Sequence, residues 1–174
     1  MAAFVEKLEA ASRDNRSLLC VGLDPDPDRM PVADVFQFNR AIIDATADLV
    51  CAYKPNLAFY EALGMPGLEA LQKTVQHIRQ AAPGVPIIGD AKRGDIGPSG
   101  EAYAKDLFEI WDFDASTANP YGGRDTLQQL YQYQDRGVII WCRSSNEGAK
   151  DLQDLMVESP TEARPVYEIL ASKI

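Results

Sequence analysis

The segment Val85–Asp95 reads Val-Pro-Ile-Ile-Gly-Asp-Ala-Lys-Arg-Gly-Asp, and it decides the fold class and the place to look for a site. Its apolar first half predicts a buried strand. Because side chains alternate along a strand, Asp90 and Lys92 are expected to lie on one face at its end. Charges there cost desolvation energy unless a polar site uses them. The alternative interpretation is a salt bridge that closes the mouth of a barrel.

The composition narrows the class of protein. The chain has 174 residues, 46% hydrophobic and 25% charged, which predicts one soluble globular domain with a substantial core. The net charge of −9 argues against non-specific binding to nucleic acid or an anionic membrane. No signal peptide is expected and no apolar run approaches the roughly 18 residues of a membrane span. A cytoplasmic location is therefore predicted, with Cys20, Cys51 and Cys142 as buried, reduced thiols.

Strand-like and helix-like segments alternate along the sequence. The predicted strands are 17–23, 50–54, 85–89, 114–118 and 138–142. The predicted helices are 4–13, 35–49, 67–82, 99–111, 126–135 and 165–173. Repeated strand–helix units with continuous apolar strands indicate a parallel sheet with helices outside it.

A parallel sheet of this kind is either doubly wound or closed into a (β/α)8 barrel. Gly22-Leu-Asp-Pro25, after the first strand, does not match the glycine-rich dinucleotide fingerprint. Polar residues instead follow several strands, as in barrel enzymes: Asp24, Lys54, Asp90, Lys92, Asn119, Ser144 and Ser145. The predicted fold class is therefore α/β, of the (β/α)8 TIM-barrel family.

The number of units falls short of a whole barrel. About five strand–helix units are visible, whereas a barrel has eight and about 250 residues. Residues 1–174 are therefore expected to form a single barrel domain that is incomplete at its C-terminus.

Proline follows three of the strand-end residues, Asp24, Lys54 and Asn119. A proline favours an extended backbone at the residue before it, which would fix the polar side chain at the strand end. At any one of these positions the proline is explained equally well as an ordinary loop residue, but three such strand ends favour a functional role.

Lys54, Asp90 and Lys92 would form a cation–anion–cation array at one barrel mouth. Asp95, in the turn beyond, adds a second anion either there or in a neighbouring subunit. A pair of opposite charges at about 4 Å interacts by roughly 4 kcal/mol at an effective dielectric near 20, which keeps both groups ionised. Such an array suits a reaction that develops a carbanion, which an ammonium stabilises and then protonates. No metal is expected, because the carboxylates are already paired with lysines.

Five segments resemble a known family. They are Gly22-Leu-Asp-Pro25, Tyr53-Lys-Pro-Asn56, Asp90-Ala-Lys-Arg-Gly-Asp-Ile96, Asn119-Pro-Tyr121 and Cys142-Arg-Ser-Ser-Asn146. In this order they resemble orotidine 5′-phosphate decarboxylase of the bacterial longer-chain type, over nearly the whole chain. The resemblance implies a (β/α)8 barrel homodimer that converts orotidine monophosphate to UMP and CO2 in pyrimidine biosynthesis, with no cofactor and no metal.

The resemblance also implies roles for individual residues. Lys54, Asp90, Lys92 and Asp95 match the catalytic charged tetrad. Lys92 would protonate C6 after CO2 leaves, and Asp95 would serve the site of the other subunit. The implied substrate-binding residues are Asp24 for the ribose hydroxyl, Ser99 beside Asp95 across the interface, Ser145 for the pyrimidine edge, and Asn119 nearby.

Some features depart from the family pattern. Pro98 and Glu147 replace residues that are more usual there. The family binds the substrate phosphate with loops after the seventh and eighth strands, so the chain alone is expected to be weakly active or inactive. The alternatives are a truncated non-catalytic homologue or binding module, and a magnesium-dependent sugar-phosphate decarboxylase or synthase of the same suprafamily. The magnesium enzymes carry an acidic residue where Lys54 stands. A Schiff-base aldolase would need a lysine of lowered pKa, which flanking carboxylates oppose.

Overall fold

The computed structural model describes residues 3–158 and 162–174. Its strands are β1 Cys20–Leu23, β2 Ala52–Pro55, β3 Ile88–Arg93, β4 Ala115–Ala118, β5 Gly137–Ile140, β6 Met156–Glu158 and β7 Ala163–Pro165. Its helices are α1 Phe4–Asp14, α2 Val35–Thr46, α3 Leu57–Glu61, α4 Gly64–Ala81, α5 Gly97–Lys105, α6 Gln128–Tyr131 and α7 Val166–Lys173. A π-helical turn Asp106–Ile110 extends α5, and 3-10 turns cover Arg124–Leu127 and Glu147–Asp151.

Strands β1 to β5 lie side by side in sequence order, and all of them are parallel. β1 pairs with β2, β3 with β4, and β4 with β5. Parallel bridges Tyr53–Ile87 and Asn56–Asp90 join β2 to β3. Sequential parallel strands separated by helices are the arrangement of a (β/α)8 barrel, which confirms the predicted fold class. β6 and β7 form a separate antiparallel pair.

The two faces of the five-stranded sheet bury different sets of residues. The outer face contributes Leu23, Tyr53, Ile87 and Ala118 to the main core, which the helices cover. The inner face contributes Ala52, Ile88 and Ala115 to a smaller cluster, against which Phe4 and Leu8 of α1 pack. The next inner-facing positions, two residues further along β2, β3 and β4, are Lys54, Asp90 and Thr117. A polar layer therefore lies directly above an apolar layer that α1 covers.

The helices follow from simple sequence signals. Asp34 caps α2, because its carboxylate accepts a hydrogen bond from the Gln37 amide at 2.8 Å. Leu71, Val75 and Ile78 of α4 are buried at the four- and three-residue spacing that places side chains on one helix face. None of the helices within residues 3–158 and 162–174 is long and apolar enough to cross a membrane.

Several predicted boundaries were wrong. The first strand begins at Cys20 rather than residue 17, and the helix predicted over 99–111 begins at Gly97 and ends in the π-helical turn. The helix predicted over 126–135 is reduced to α6, after a 3-10 turn. α3 and the β6–β7 pair were not predicted, because elements of five and three residues are too short to show a period.

The cysteine prediction holds for one residue of three. Cys51 is buried, Cys142 is half-buried and Cys20 is exposed. Cys20 is in register with Ala52 and therefore shares the inner face of the sheet. It is exposed because β1 lies at one edge of the five-stranded sheet.

A buried carboxylate joins α1, α4 and the start of β3 at the amino end of the sheet. Asp114 is fully buried and accepts hydrogen bonds from Lys7 Nζ at 2.5 Å, Arg79 Nη1 at 2.8 Å and the Ile87 amide at 2.8 Å. Burial by itself would raise the pKa of Asp114, but the bonds from Lys7 and Ile87 and the charge of Arg79 hold it below its ordinary value. The cluster anchors α1 under the apolar layer.

Asp114→Ala should lower the free energy of unfolding by about 3 kcal/mol, since it leaves two cations and an amide without their buried acceptor. Because the folded-state pKa lies below the ordinary value of 3.8, the stability that Asp114 contributes is complete above that pH and is lost as the pH falls further. Urea denaturation of the wild-type and Asp114→Ala proteins, at neutral pH and below pH 4, measures the free energy of unfolding of each. The difference between the two free energies should be smaller in acid.

Asp135→Ala is the control, because Asp135 is 42% exposed and lies 3.7 Å from Arg136. It should cost less than about 0.5 kcal/mol. Equal losses for the two variants would contradict a special role for Asp114.

Candidate active site

Two lysines share one carboxylate at the carboxyl ends of β2 and β3. Lys54 Nζ donates to Asp90 Oδ2 at 2.8 Å, and Lys92 Nζ donates to Asp90 Oδ1 at 2.6 Å. The Asp90 side chain is 9% exposed, whereas those of Lys54 and Lys92 are 31% and 40% exposed. The structure therefore brings these three predicted residues together, with the anion buried and both cations open to one side.

The side chains of Asp90 and Lys92 meet, but the regular strand alternation predicted between these two residues was wrong. An irregular backbone brings them together instead. The register of β3 against β4 shifts between Gly89 and Arg93. Lys92 has φ of 51°, in the left-handed region, which costs a non-glycine residue roughly 1–2 kcal/mol. A bulge of this kind re-aims a side chain at a strand end.

The glycine in this segment has a packing reason. A Cβ on Gly94 would overlap the carbonyl oxygen of Asn119. The backbone after the bulge therefore passes directly over the end of β4, and only glycine permits that approach. Pro98 lies in the first turn of α5, where its fixed φ suits a helix start, so this departure from the family pattern is accommodated.

Asp90 and Lys54 hold each other ionised. Burial alone would raise the pKa of Asp90, but hydrogen bonds from Lys54, Lys92 and Thr117 bring it below its ordinary value. For Lys54, burial would lower the pKa, but the hydrogen bond and charge of Asp90, with the charge of Asp24, raise it above its ordinary value. A lysine of raised pKa stays protonated at neutral pH and is a poor Schiff-base nucleophile.

Thr117 belongs to the site and was missed in the sequence. Its hydroxyl lies 2.9 Å from Asp90 Oδ1 and donates to it. The available signal was a hydroxyl at an inner-facing position of β4, two residues after the buried Ala115. Serine and threonine are common enough in strands that the type alone did not mark it.

The remaining five predicted residues have local contacts of their own. Asp24 is exposed directly after β1. Asp95 is half-buried, and its carboxylate accepts from the Ile96 amide at 2.8 Å. Asn119 Oδ1 accepts from the Tyr121 amide at 3.0 Å, which closes its own turn. Ser99 on α5 and Ser145 after β5 are exposed. Within the described residues, none of the five forms a hydrogen bond or ion pair with Lys54, Asp90 or Lys92.

A second ring of contacts supports the strand ends. Arg93 pairs with Glu61 of α3, and its guanidinium lies 5.4 Å from the centre of the Tyr103 ring of α5. Tyr60 donates to the carbonyl of Leu23 at 3.0 Å, directly before Asp24. These contacts tie α3 and α5 to the ends of β1 and β3.

Fold and site together define a β/α-barrel protein whose charged cluster occupies the end of the strands where barrel enzymes carry out their chemistry. In the part of the chain that the structure describes, no group of three or more His, Cys, Asp or Glu residues is arranged to hold a metal ion.

Residues 17–172 match the Orotidine 5'-phosphate decarboxylase / HUMPS family, and the chain belongs to this family. It is 48% identical over 176 residues to the orotidine 5'-phosphate decarboxylase of Ralstonia pickettii (strain 12J), a match that covers 98% of this chain and 63% of that protein. It is 50% identical over 174 residues to the orotidine 5'-phosphate decarboxylase of Roseiflexus sp. (strain RS-1), a match that covers 97% of this chain and 61% of that protein.

Solved structures give the same family. The Leishmania donovani OMP decarboxylase superposes with a TM-score of 0.85 at 36% identity, covering 97% of this chain and 63% of that chain. The Leishmania donovani UMP synthase gives 0.86 at 36% identity, covering 98% of this chain and 36% of that one. The chain spans 63% of the length of the Ralstonia pickettii relative and 61% of that of the Roseiflexus relative, which is less than two thirds of each.

Lys54→Met should raise the pKa of Asp90, because it removes the hydrogen bond and charge of Lys54 that favour the ionised carboxylate. Carbon-13 NMR titration of the Asp90 carboxyl in both proteins measures the change. Lys73→Met is the matched control, since Lys73 is exposed on α4 and contacts neither Asp90 nor Lys92. An Asp90 titration that is the same in all three proteins would show that Lys54 does not pair with it.

Proposed function

We propose that this protein acts in the decarboxylation of orotidine 5′-monophosphate to UMP and CO2, a step of pyrimidine biosynthesis, without a cofactor. The observation that carries the proposal is the Asp90 carboxylate held between the ammonium groups of Lys54 and Lys92, at 2.8 and 2.6 Å. Relatives named for this reaction align over nearly the whole chain.

The proposed chemistry uses Lys92 as the proton donor. When the bond between C6 and the carboxyl carbon breaks, the electron pair stays on C6 and CO2 departs. The ammonium of Lys92 stabilises this carbanion and then transfers a proton to C6, which gives UMP. Lys92 is 40% exposed, so the amine can regain its proton from water once the product leaves.

Asp90 and Lys54 prepare Lys92 for this role. The carboxylate fixes the Lys92 ammonium at 2.6 Å. Lys54 in turn keeps Asp90 ionised from the other oxygen. Because all three groups are in place before substrate arrives, little reorganisation accompanies the reaction, which is the basis of electrostatic catalysis.

Asp95 is proposed to complete the cluster of a second subunit in a homodimer. It lies in a turn beside Ile96, which is 59% exposed, and its carboxylate accepts a hydrogen bond from the Ile96 amide. Its own amide donates to the carbonyl of Thr126 at 3.1 Å, which holds the turn in place. Ser99, on the same exposed side, would join it at the interface.

The proposed substrate contacts lie around the same strand ends. They are Asp24 for the ribose hydroxyls, Ser145 for the pyrimidine edge, and Asn119 beside it. We place residues 1–174 in one barrel domain, since the main core includes residues from Ala11 to Leu130 in a single contact cluster. Loops supplied by further strand–helix units would bind the phosphate.

The magnesium-dependent branch of the suprafamily is the competing enzyme. Both oxygens of Asp90 already accept hydrogen bonds from lysine, so a cation would have to displace an ammonium group. A cationic residue at position 54 also repels a divalent ion. The arrangement therefore favours decarboxylation without a metal.

The direct test follows the loss of orotidine monophosphate absorbance with two proteins. One is the 174-residue chain, and the other joins it to the C-terminal part of the Ralstonia pickettii relative that lies beyond the match. Turnover by the fusion protein that EDTA does not change is expected. Loss of turnover with EDTA would favour the magnesium enzyme, and no turnover by either protein would favour a non-catalytic homologue.

Lys92→Ala should abolish decarboxylation by the active protein while UMP binding is partly retained, because the variant lacks the proton donor but keeps the rest of the pocket. Absorbance assays and UMP titration measure the two effects. Lys105→Ala removes an exposed lysine of α5 and should leave turnover unchanged. Turnover by Lys92→Ala at the wild-type rate would exclude the proton-donor role.

Asp95→Ala and Lys92→Ala proteins, each inactive alone, should recover activity when they are refolded together. If each site takes Lys92 from one subunit and Asp95 from the other, random mixing gives about a quarter of the wild-type sites. The absorbance assay measures the recovery. A mixed dimer that is shown to form and stays inactive would refute the shared site.

A further inference from the structure

The hydroxyl of Thr117 makes three contacts with the segment that carries the charged cluster. It accepts hydrogen bonds from the amides of Ala91 and Lys92, both at 3.0 Å. It donates to Asp90 Oδ1 at 2.9 Å. A hydroxyl offers one donor and two acceptor sites, so these contacts use its whole capacity and fix its orientation.

These contacts replace the strand pairing that the bulge interrupts. The ladder between β3 and β4 pairs Ile88, Gly89 and Arg93 and skips the residues between Gly89 and Arg93. The amides of Ala91 and Lys92 are bound by the Thr117 side chain of β4 instead. Lys92 is also the residue with φ of 51°. An unfavourable backbone conformation persists only where its surroundings hold it, and the Thr117 hydroxyl binds the backbone at this point.

We propose that Thr117 is a positioning residue of the site: its hydroxyl holds the left-handed backbone at Lys92 and the Asp90 carboxylate in the geometry that brings the two side chains together. It acts through Lys92 and Asp90 and not through the substrate. This inference rests on the proposed function for its effect on turnover, but its structural part stands independently of any reaction.

An apolar residue at position 117 would release both parts of this geometry. The half-buried amide of Ala91 and the exposed amide of Lys92 would lose their acceptor, and each lost hydrogen bond weakens the hold on the backbone. The left-handed conformation of Lys92 is unfavourable for a residue with a side chain, so the bulge would relax once these hydrogen bonds are lost. Relaxation moves the Lys92 ammonium relative to Asp90, and small misplacements of a reacting group slow reactions strongly.

The neighbouring residue provides a matched control. Ser116 is fully buried on the same strand, and its hydroxyl donates to the carbonyl of Gly89 at 3.0 Å. It therefore also links β4 to β3 through a side-chain hydrogen bond. Ser116 lies on the opposite face, and among the described residues its hydroxyl donates to the carbonyls of Gly89 and Thr117 and not to Asp90, Ala91 or Lys92.

The test compares Thr117→Val, Thr117→Ser and Ser116→Ala by NMR in the 174-residue chain. Thr117→Val should speed amide hydrogen exchange of Ala91 and Lys92 by about tenfold or more, because the hydrogen bonds that protect the two amides are lost. It should also raise the pKa of Asp90, because the hydrogen bond from Thr117 is lost. Thr117→Ser keeps the hydroxyl, so its amide exchange rates and its Asp90 pKa should match those of the wild-type protein. Ser116→Ala should change neither. If Thr117→Val does not fold, Thr117→Ala removes the same hydroxyl with less side chain and is measured in its place.

Kinetics in whichever protein decarboxylates provide the second measurement. Thr117→Val should lower kcat by about tenfold or more with a smaller change in KM, and Thr117→Ser should recover most of the loss. A rise in KM alone would overturn the proposal, because it indicates a direct substrate contact. Unchanged amide exchange in Thr117→Val, or an equal change in Ser116→Ala, would also overturn it. If Thr117→Val alters the exchange while the wild-type proteins show no turnover, the positioning role is supported and the proposed function fails.

Discussion

The site depends on one carboxylate that is bound by two ammonium groups. Asp90 is nearly buried, and an isolated buried carboxylate would take up a proton rather than remain charged. Lys54 and Lys92 prevent this by donating to separate oxygens at 2.8 and 2.6 Å. The contact with Asp90 raises the pKa of Lys54, which is therefore a poor nucleophile towards a carbonyl group. The two ammonium groups are suited to stabilise negative charge.

The rest of the sheet supports this cluster from both sides. Below it, Ala52, Ile88 and Ala115 form the apolar layer that α1 covers, and Asp114 anchors that helix. Above it, β3 departs from regular pairing, so that Lys92 turns back towards Asp90. A regular parallel strand would leave the relative position of these two side chains to flexible lysine rotamers. The bulge, held by Thr117, fixes it through the backbone.

Much of the fold could be predicted because parallel barrel strands are continuous apolar runs between amphipathic helices. The order of β1 to β5 and the strand-end positions of Lys54 and Asp90 follow from that pattern alone. The bulge at Lys92 could not be predicted, since no residue there signals a left-handed φ and glycine comes two positions later. Thr117 was missed for a related reason: its value lies in a contact with another strand, and sequence spacing does not reveal such contacts.

Nitrogen-15 NMR of the lysine ammonium groups tests the shared carboxylate most directly. At neutral pH, slowly exchanging ammonium signals are expected for both Lys54 and Lys92, because each is bound to a largely buried anion. Asp90→Asn should shift both signals and speed the proton exchange of both. If either lysine keeps the same signal and exchange rate in that variant, then Asp90 does not hold the two cations together, and the proposed site is wrong.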